Sequence, residues 1–164
     1  MSDFKPDLVI TNDMSPAMQG NISSLTKYIK GLSFGSQKIK VYYREPSPDD
    51  TSGPTTTSAT YVDLQAMQIN FSVGTSGYVI ALASVSTEDT DQDNLIILNM
   101  NGSTLANTAR GDHGYTGSQH TVTTQWAGPI QPGNHYFKIQ WKTTGGTLTS
   151  LARQRSLIVV TVED

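Results

Sequence analysis

The chain has no cysteine among its 164 residues. A disulfide framework, a thiol nucleophile and a thiolate metal site are therefore excluded, and the fold must form without a covalent staple. A chain of this length buries enough apolar surface in one domain to do so. Charge is sparse as well: Asp, Glu, Lys and Arg make up 15% of the residues and leave a formal net charge of -3. That removes any general attraction to nucleic acid or to an anionic membrane surface. The longest apolar runs, Tyr78 to Ala83 and Leu157 to Val160, fall far short of the roughly 20 residues a helix needs to span a bilayer. The N-terminus, MSDFKPDLVITNDMSP, has acidic residues where a secretory leader is positive, and Pro6 and Asp7 interrupt its apolar stretch. Export by that route is not expected.

What the chain does have is Thr, Ser, Gly, Asn and Gln, a composition suited to short strands joined by turns. Its one helical pattern lies near the start. Ser15 caps the free N–H groups, Pro16 fits the first helical position, and a helix is predicted from Pro16 to about Lys30. Met18, Ile22, Leu25, Ile29 and Leu32 step by 4, 3, 4 and 3, the spacing of a coiled-coil seam. They are the candidate oligomerisation residues. The alternative is a single amphipathic helix lying on its own domain, which Gly20 and Gly31 favour because they weaken a free-standing coil.

Beyond Lys38 the period becomes two. Ile39, Val41 and Tyr43 alternate with Lys38, Lys40, Tyr42 and Arg44, as in a half-buried strand. Residues 45–59, EPSPDDTSGPTTTSA, hold three prolines and read as a long loop. Strand-like runs follow over 61–71, 78–86, 95–100, 119–126, 135–141, 147–151 and 156–162, with no helix between them. In the first run Val62 and Leu64 are even-numbered while Met67, Ile69 and Phe71 are odd, so a bulge is expected near Gln65 and Ala66. Gly74 to Gly77 and Asn101-Gly102 supply hairpin turns. Phe137, Ile139 and Trp141 share one face of their strand, expected to be core, and Tyr136, Lys138, Gln140 and Lys142 share the other. The expected fold is all-β, an antiparallel two-sheet jelly-roll sandwich over residues 36–164, preceded by a short N-terminal helical segment over 1–35 for anchoring and oligomerisation. An immunoglobulin-like sandwich is the nearest competitor, but its buried Trp between paired cysteines cannot form here.

Two loops carry chemistry-bearing residues. Asp89, Asp91 and Asp93 alternate in a polar stretch that could converge on Ca²⁺, yet an EF-hand register would need Gly where Asn94 stands and Glu where Met100 stands. A solvated inter-strand loop accounts for them better. Between Arg110 and His120 the residues Asp112, His113, Tyr115, Ser118 and His120 gather as an acid, base and nucleophile set would, without the G-x-S-x-G elbow. Asp112, His113, Tyr115 and His120 form a candidate ligand-binding loop. Exposed Tyr136, with Tyr42, Tyr115 or Trp126, is a candidate for stacking on sugar rings, against the alternative of ordinary packing. No catalytic residue, resident metal or cofactor is expected.

The segment Ala127 to Lys142, AGPIQPGNHYFKIQWK, followed by the Gly145-Gly146 turn and the run Arg155 to Val160, RSLIVV, resembles the end of jelly-roll domains of the complement C1q and tumour-necrosis-factor type found in bacteriophage structural proteins. The resemblance covers roughly residues 60–162 and rests on turn chemistry and strand alternation. It implies a homotrimer located on the virion, a head or tail fibre or decoration protein. The N-terminal segment would contact other virion proteins, and the distal loops would be available to host-surface glycans. A carbohydrate-binding module and a sandwich-fold hydrolase are the alternatives. Nucleic acid and membrane insertion are not expected.

Overall fold

The structure is a computed structural model that describes residues 37–46, 53–88, 93–114 and 117–164. Among these are ten strands: β1 (Lys38–Arg44), β2 (Thr55–Thr56), β3 (Val62–Val73), β4 (Gly77–Glu88), β5 (Asp93–Met100), β6 (Ser103–Thr104), β7 (Arg110–His113), β8 (Gln119–Ile130), β9 (Gly133–Thr143) and β10 (Leu148–Glu163). They form two antiparallel sheets. The first runs β1-β10-β4-β8 with β2 on β10, and the second runs β3-β9-β5-β6 with β7 on β5. Apart from β6 and β7, which lie close to their partner β5 in the chain, neighbours in each sheet are distant in sequence, so the chain crosses repeatedly between layers, as in a jelly roll. The predicted helix over 16–30, with Met18, Ile22, Leu25, Ile29 and Leu32, lies outside the described residues.

Side chains of alternate residues from both sheets fill the space between them. Phe137, Ile139 and Trp141 face inward as expected, packed with Met67, Phe71, Leu98 and Leu157. The rings of Phe71 and Phe137 stack with centroids 6.0 Å apart, and Trp126 closes on Phe137 from the opposite sheet at 5.8 Å. The bulge on β3 is present: Ala66 has φ 61, and the register with β9 shifts between Asp63 and Gln68. Its carbonyl accepts from Arg44 Nε at 2.9 Å, tying β1 in one sheet to β3 in the other. Asn101 and Gly102, at φ 52 and 86, form the two-residue turn joining β5 to β6.

Three features differ from the sequence-based expectation. The runs 147–151 and 156–162 belong to one strand of 16 residues, β10, because a second bulge absorbs the break between them. Arg153 has φ 62 there, and the register with β4 shifts between Ser150 and Arg155. Within the stretch read as loop, Thr55 and Thr56 pair with β10. Residues 110–113, read as part of a surface loop, form β7 against β5.

At one end of the sandwich Lys40, on the core-facing side of β1, meets Glu163 Oε1 at 2.6 Å, while Glu163 Oε2 accepts from the Gly74 N–H at 2.7 Å. Burial alone would raise the Glu163 carboxyl, but the Lys40 and backbone hydrogen bonds outweigh it and hold the group below its ordinary value of 4.5. A carboxylate depressed on folding contributes stability above its unfolded pKa and loses it as pH falls through the folded one. Acid titration of unfolding should therefore show stability declining below about pH 4.5, with a shallower decline in Glu163→Gln. An identical acid limb in the variant would remove Glu163 from this account.

Candidate interaction surface

The sheet containing β1, β10, β4 and β8 is apolar on both faces. Its inner face builds the core. The outer face is read from the register, since residues directly opposite one another share a side. Three successive rows run Ile39, Val162, Tyr78, Pro129; then Val41, Val160, Ile80, Ala127; then Tyr43, Ile158, Leu82, Gln125. An antiparallel sheet packed on one side ordinarily turns polar residues to water on the other. Here Tyr78, Ile80 and Leu82 are 64%, 41% and 39% exposed, and they lie side by side on a central strand. The β10 residues beside them are half-buried, and those of β1 are buried. The odd-numbered residues of β1, apolar in the sequence, thus face away from the sandwich core, and Lys40 and Tyr42 face into it.

The burial of Tyr43, followed by its hydrogen bond to Glu45 Oε2 at 2.9 Å, pushes its hydroxyl well above the usual tyrosine range. Toward β8 the face opens into a shallow groove of about 520 Å³ lined by Leu82, Ser84, Arg110, Thr123, Gln125 and Ile158, among others.

The outer face of the second sheet is chemically opposite. Asp63 accepts from Lys138 Nζ at 2.7 Å and Gln140 Nε2 at 2.8 Å, Gln68 donates to Asn70 at 2.8 Å, and Asn99 donates to Gln140 at 3.3 Å. The Lys138 hydrogen bond holds the Asp63 carboxyl below its ordinary value. Such a face is satisfied by its own side chains and by water. One sheet is finished for solvent and the other is not.

The candidate ligand-binding loop is partly assembled. His120 Nδ1 lies 3.0 Å from Asp112 Oδ2, and His120 Nε2 lies 2.7 Å from Ser118 Oγ. A carboxylate only accepts, so in the neutral ring Nδ1 carries the proton and Nε2 accepts from the serine hydroxyl. His113 Nδ1 is 2.7 Å from Asp93 Oδ1, pairing two adjacent strands. Tyr115 and the calcium candidates Asp89 and Asp91 lie outside the described residues, and Asp93 is engaged by His113. Among the described residues, no group of three His, Asp or Glu side chains is placed to hold a metal ion. Of the aromatics considered for sugar stacking, Tyr42 and Trp126 pack against the core instead. Tyr136 stays on the polar face, with Lys138 Nζ 5.9 Å from its ring centroid.

Sequence reading missed the apolar outer face, although its signal was present. The run Tyr78 to Ala83 is apolar at both odd and even positions, and so is Leu157 to Val160. Continuous apolar runs of strand length mark strands covered on both sides.

No protein-family model matches the chain, and no curated protein is similar to it in sequence. Among solved structures it is similar to the Eiger TNF of S. frugiperda, with a TM-score of 0.53 at 11% identity, covering 75% of this chain and 91% of that one. It also aligns with the infectious bursal disease virus Gt strain structure (TM-score 0.48, 15% identity, 74% of this chain and 33% of that chain). The globular domain of zebrafish complement 1qA aligns with a TM-score of 0.39 at 8% identity, over 75% of this chain and 95% of that one. The likeness to the Eiger TNF structure is one of fold, a two-sheet jelly roll.

Proposed function

We propose that this chain is a non-enzymatic structural domain that assembles as a homotrimer through the exposed part of the outer face of its first sheet, on β4 and the adjoining sides of β10 and β8. It serves as a virion component, a phage fibre or decoration protein. Residues 1–35 attach it to other virion proteins, and the polar sheet and loops face outward toward host-surface glycans. The observation that carries the assembly reading is the stripe of Tyr78, Ile80 and Leu82 exposed on a central strand beside further apolar side chains of β10. A contiguous apolar patch of this kind is costly to leave in water and marks a contact surface. The virion location is supported by the likeness of residues 127–160 to phage jelly rolls. Light scattering on the full chain should give three times the 17.8 kDa chain mass. A mass of one chain across the micromolar range would overturn the reading.

A second reading is favoured by one observation. Ser118, His120 and Asp112 have the hydrogen-bond connectivity of a hydrolase triad, with distances of 2.7 and 3.0 Å. In the structural reading these bonds only pin the turn between β7 and β8. A fluorophosphonate probe, which esterifies activated serines, is then expected to leave the protein unlabelled. Labelling that Ser118→Ala abolishes would establish the second reading instead.

A further inference from the structure

The outer face of the first sheet is covered unevenly. On β1, Ile39, Val41 and Tyr43 are 4%, 3% and 9% exposed, whereas Tyr78, Ile80 and Leu82 in the same rows on β4 are 64%, 41% and 39% exposed. Between them Ile158, Val160 and Val162 of β10 are half-buried. A bare sheet would show the reverse order, because β1 is an edge strand with a neighbour on one side only. Among the described residues, β1 packs against β10 beside it and against β3 on its core side, through Lys40, Tyr42 and Arg44. Neither strand lies over Ile39, Val41 and Tyr43, so the rest of the chain supplies their cover.

Chain position and composition narrow the source. Residues 89–92 and 115–116 join strands at the end of the sandwich where Glu88 meets Gln119, eight residues along β4 from the Ile80 that shares a row with Val41. That separation is roughly 26 Å of strand. Residues 47–52, SPDDTS, bring no apolar side chain larger than Pro48. Residues 1–36 lead directly into β1 and carry Met18, Ile22, Leu25, Ile29 and Leu32 at helical spacing. A helix over that stripe would run about 21 Å and measure about 10–12 Å across. Two strands at about 4.8 Å spacing, β1 and β10, offer a strip of that width which stops short of β4. Five residues, Ser33 to Gln37, remain to turn the chain back into β1, a usual length for such a connection. A helix of two heptads is marginal alone in water and gains its stability by burying an apolar stripe against a partner surface.

We propose that the stripe of Met18, Ile22, Leu25, Ile29 and Leu32 seats on the outer face of β1 and the near side of β10 in its own chain, as a cover for the sheet in place of a coiled-coil seam between copies. The cover holds in the single chain and does not depend on the trimeric reading. It confines any contact between copies to β4 and the adjoining sides of β10 and β8, and it leaves residues 1–15 for attachment to other proteins.

The test is hydroxyl-radical footprinting of the full chain, read at Tyr43 on the covered face, with Tyr42 on the core side and Tyr136 on the other sheet as references. In the wild type Tyr43 should be protected equally in concentrated solution and at a dilution where sedimentation shows single chains. Ile22→Asp combined with Ile29→Asp should raise its oxidation severalfold with Tyr42 and Tyr136 unchanged, which also reports an intact sandwich. Ile29→Ala, a milder change, should move Tyr43 in the same direction, and Lys27→Asp, off the stripe, should leave it protected. Tyr43 losing protection on dilution would assign the cover to another copy and overturn the proposal. So would a double variant that leaves Tyr43 protected, whether or not its mass falls. A wild-type monomer with Tyr43 protected removes the trimeric reading while the cover stands.

Discussion

Ile80→Asp combined with Leu82→Asp is expected to give a folded monomer. Both side chains lie on the outer face of β4, opposite Val160 and Ile158, at 41% and 39% exposure in the isolated chain. An aspartate at either site remains hydrated in the monomer, so the sandwich keeps its core. In the assembled protein each carboxylate would be driven against apolar side chains of a neighbour without a partner, at an effective cost of several kcal/mol per charge. Two such charges at each contact outweigh the about 1.5–3 kcal/mol that burying one apolar side chain completely contributes. Sedimentation should show a single species at the 17.8 kDa chain mass, with the far-ultraviolet spectrum of the wild type. Retention of the oligomer would place the contact elsewhere.

The second large effect belongs to the core. Phe137 is fully buried on β9, stacked against Phe71 at 6.0 Å in its own sheet and touched by Trp126 at 5.8 Å from the other. Phe137→Ala removes the ring that joins the two layers and leaves a cavity that stiff β-strands cannot close. The expected loss is about 3–5 kcal/mol. For a domain of this size that corresponds to a melting temperature lower by roughly 8–15 °C, measured at fixed protein concentration because assembly adds to apparent stability. A loss below about 1 kcal/mol would mean that Phe137 does not carry the packing between sheets.

Much of this fold is legible in the residues. The parity switch between Leu64 and Met67 forecast the β3 bulge, and Asn101-Gly102 forecast its turn, because both depend on local backbone preference. The alternation over Phe137, Ile139 and Trp141 correctly assigned the core face of β9. Strand continuity was less legible. Arg153 adopts positive φ without being Gly or Asn, so nothing local announced that β10 passes through it. The orientation of β1 was illegible for a different reason. Alternation of Ile39, Val41 and Tyr43 with Lys40 and Tyr42 identifies a face but not which side the partner sheet lies on. Lys40 is accommodated inward only because Glu163, 123 positions later in the chain, waits at the end of β10. The site divides in the same way. Asp112, Ser118 and His120 were gathered by proximity in sequence. The apolar outer face is a property of strand order, and β4 and β10 become neighbours only in the folded sheet.

On the proposed trimeric reading, further copies of the chain cover the exposed outer face of β4 and the adjoining residues of β10 and β8. Hydroxyl-radical footprinting of the full chain, compared between the concentrated assembly and a dilution at which it dissociates, addresses this directly through two tyrosines. Tyr78 is 64% exposed on the apolar face of the single chain, whereas Tyr136 lies on the polar face of the other sheet. The account predicts strong protection of Tyr78 on assembly with Tyr136 oxidised equally in both states. Protection of Tyr136 with Tyr78 still oxidised would contradict it and assign assembly to the opposite side of the sandwich.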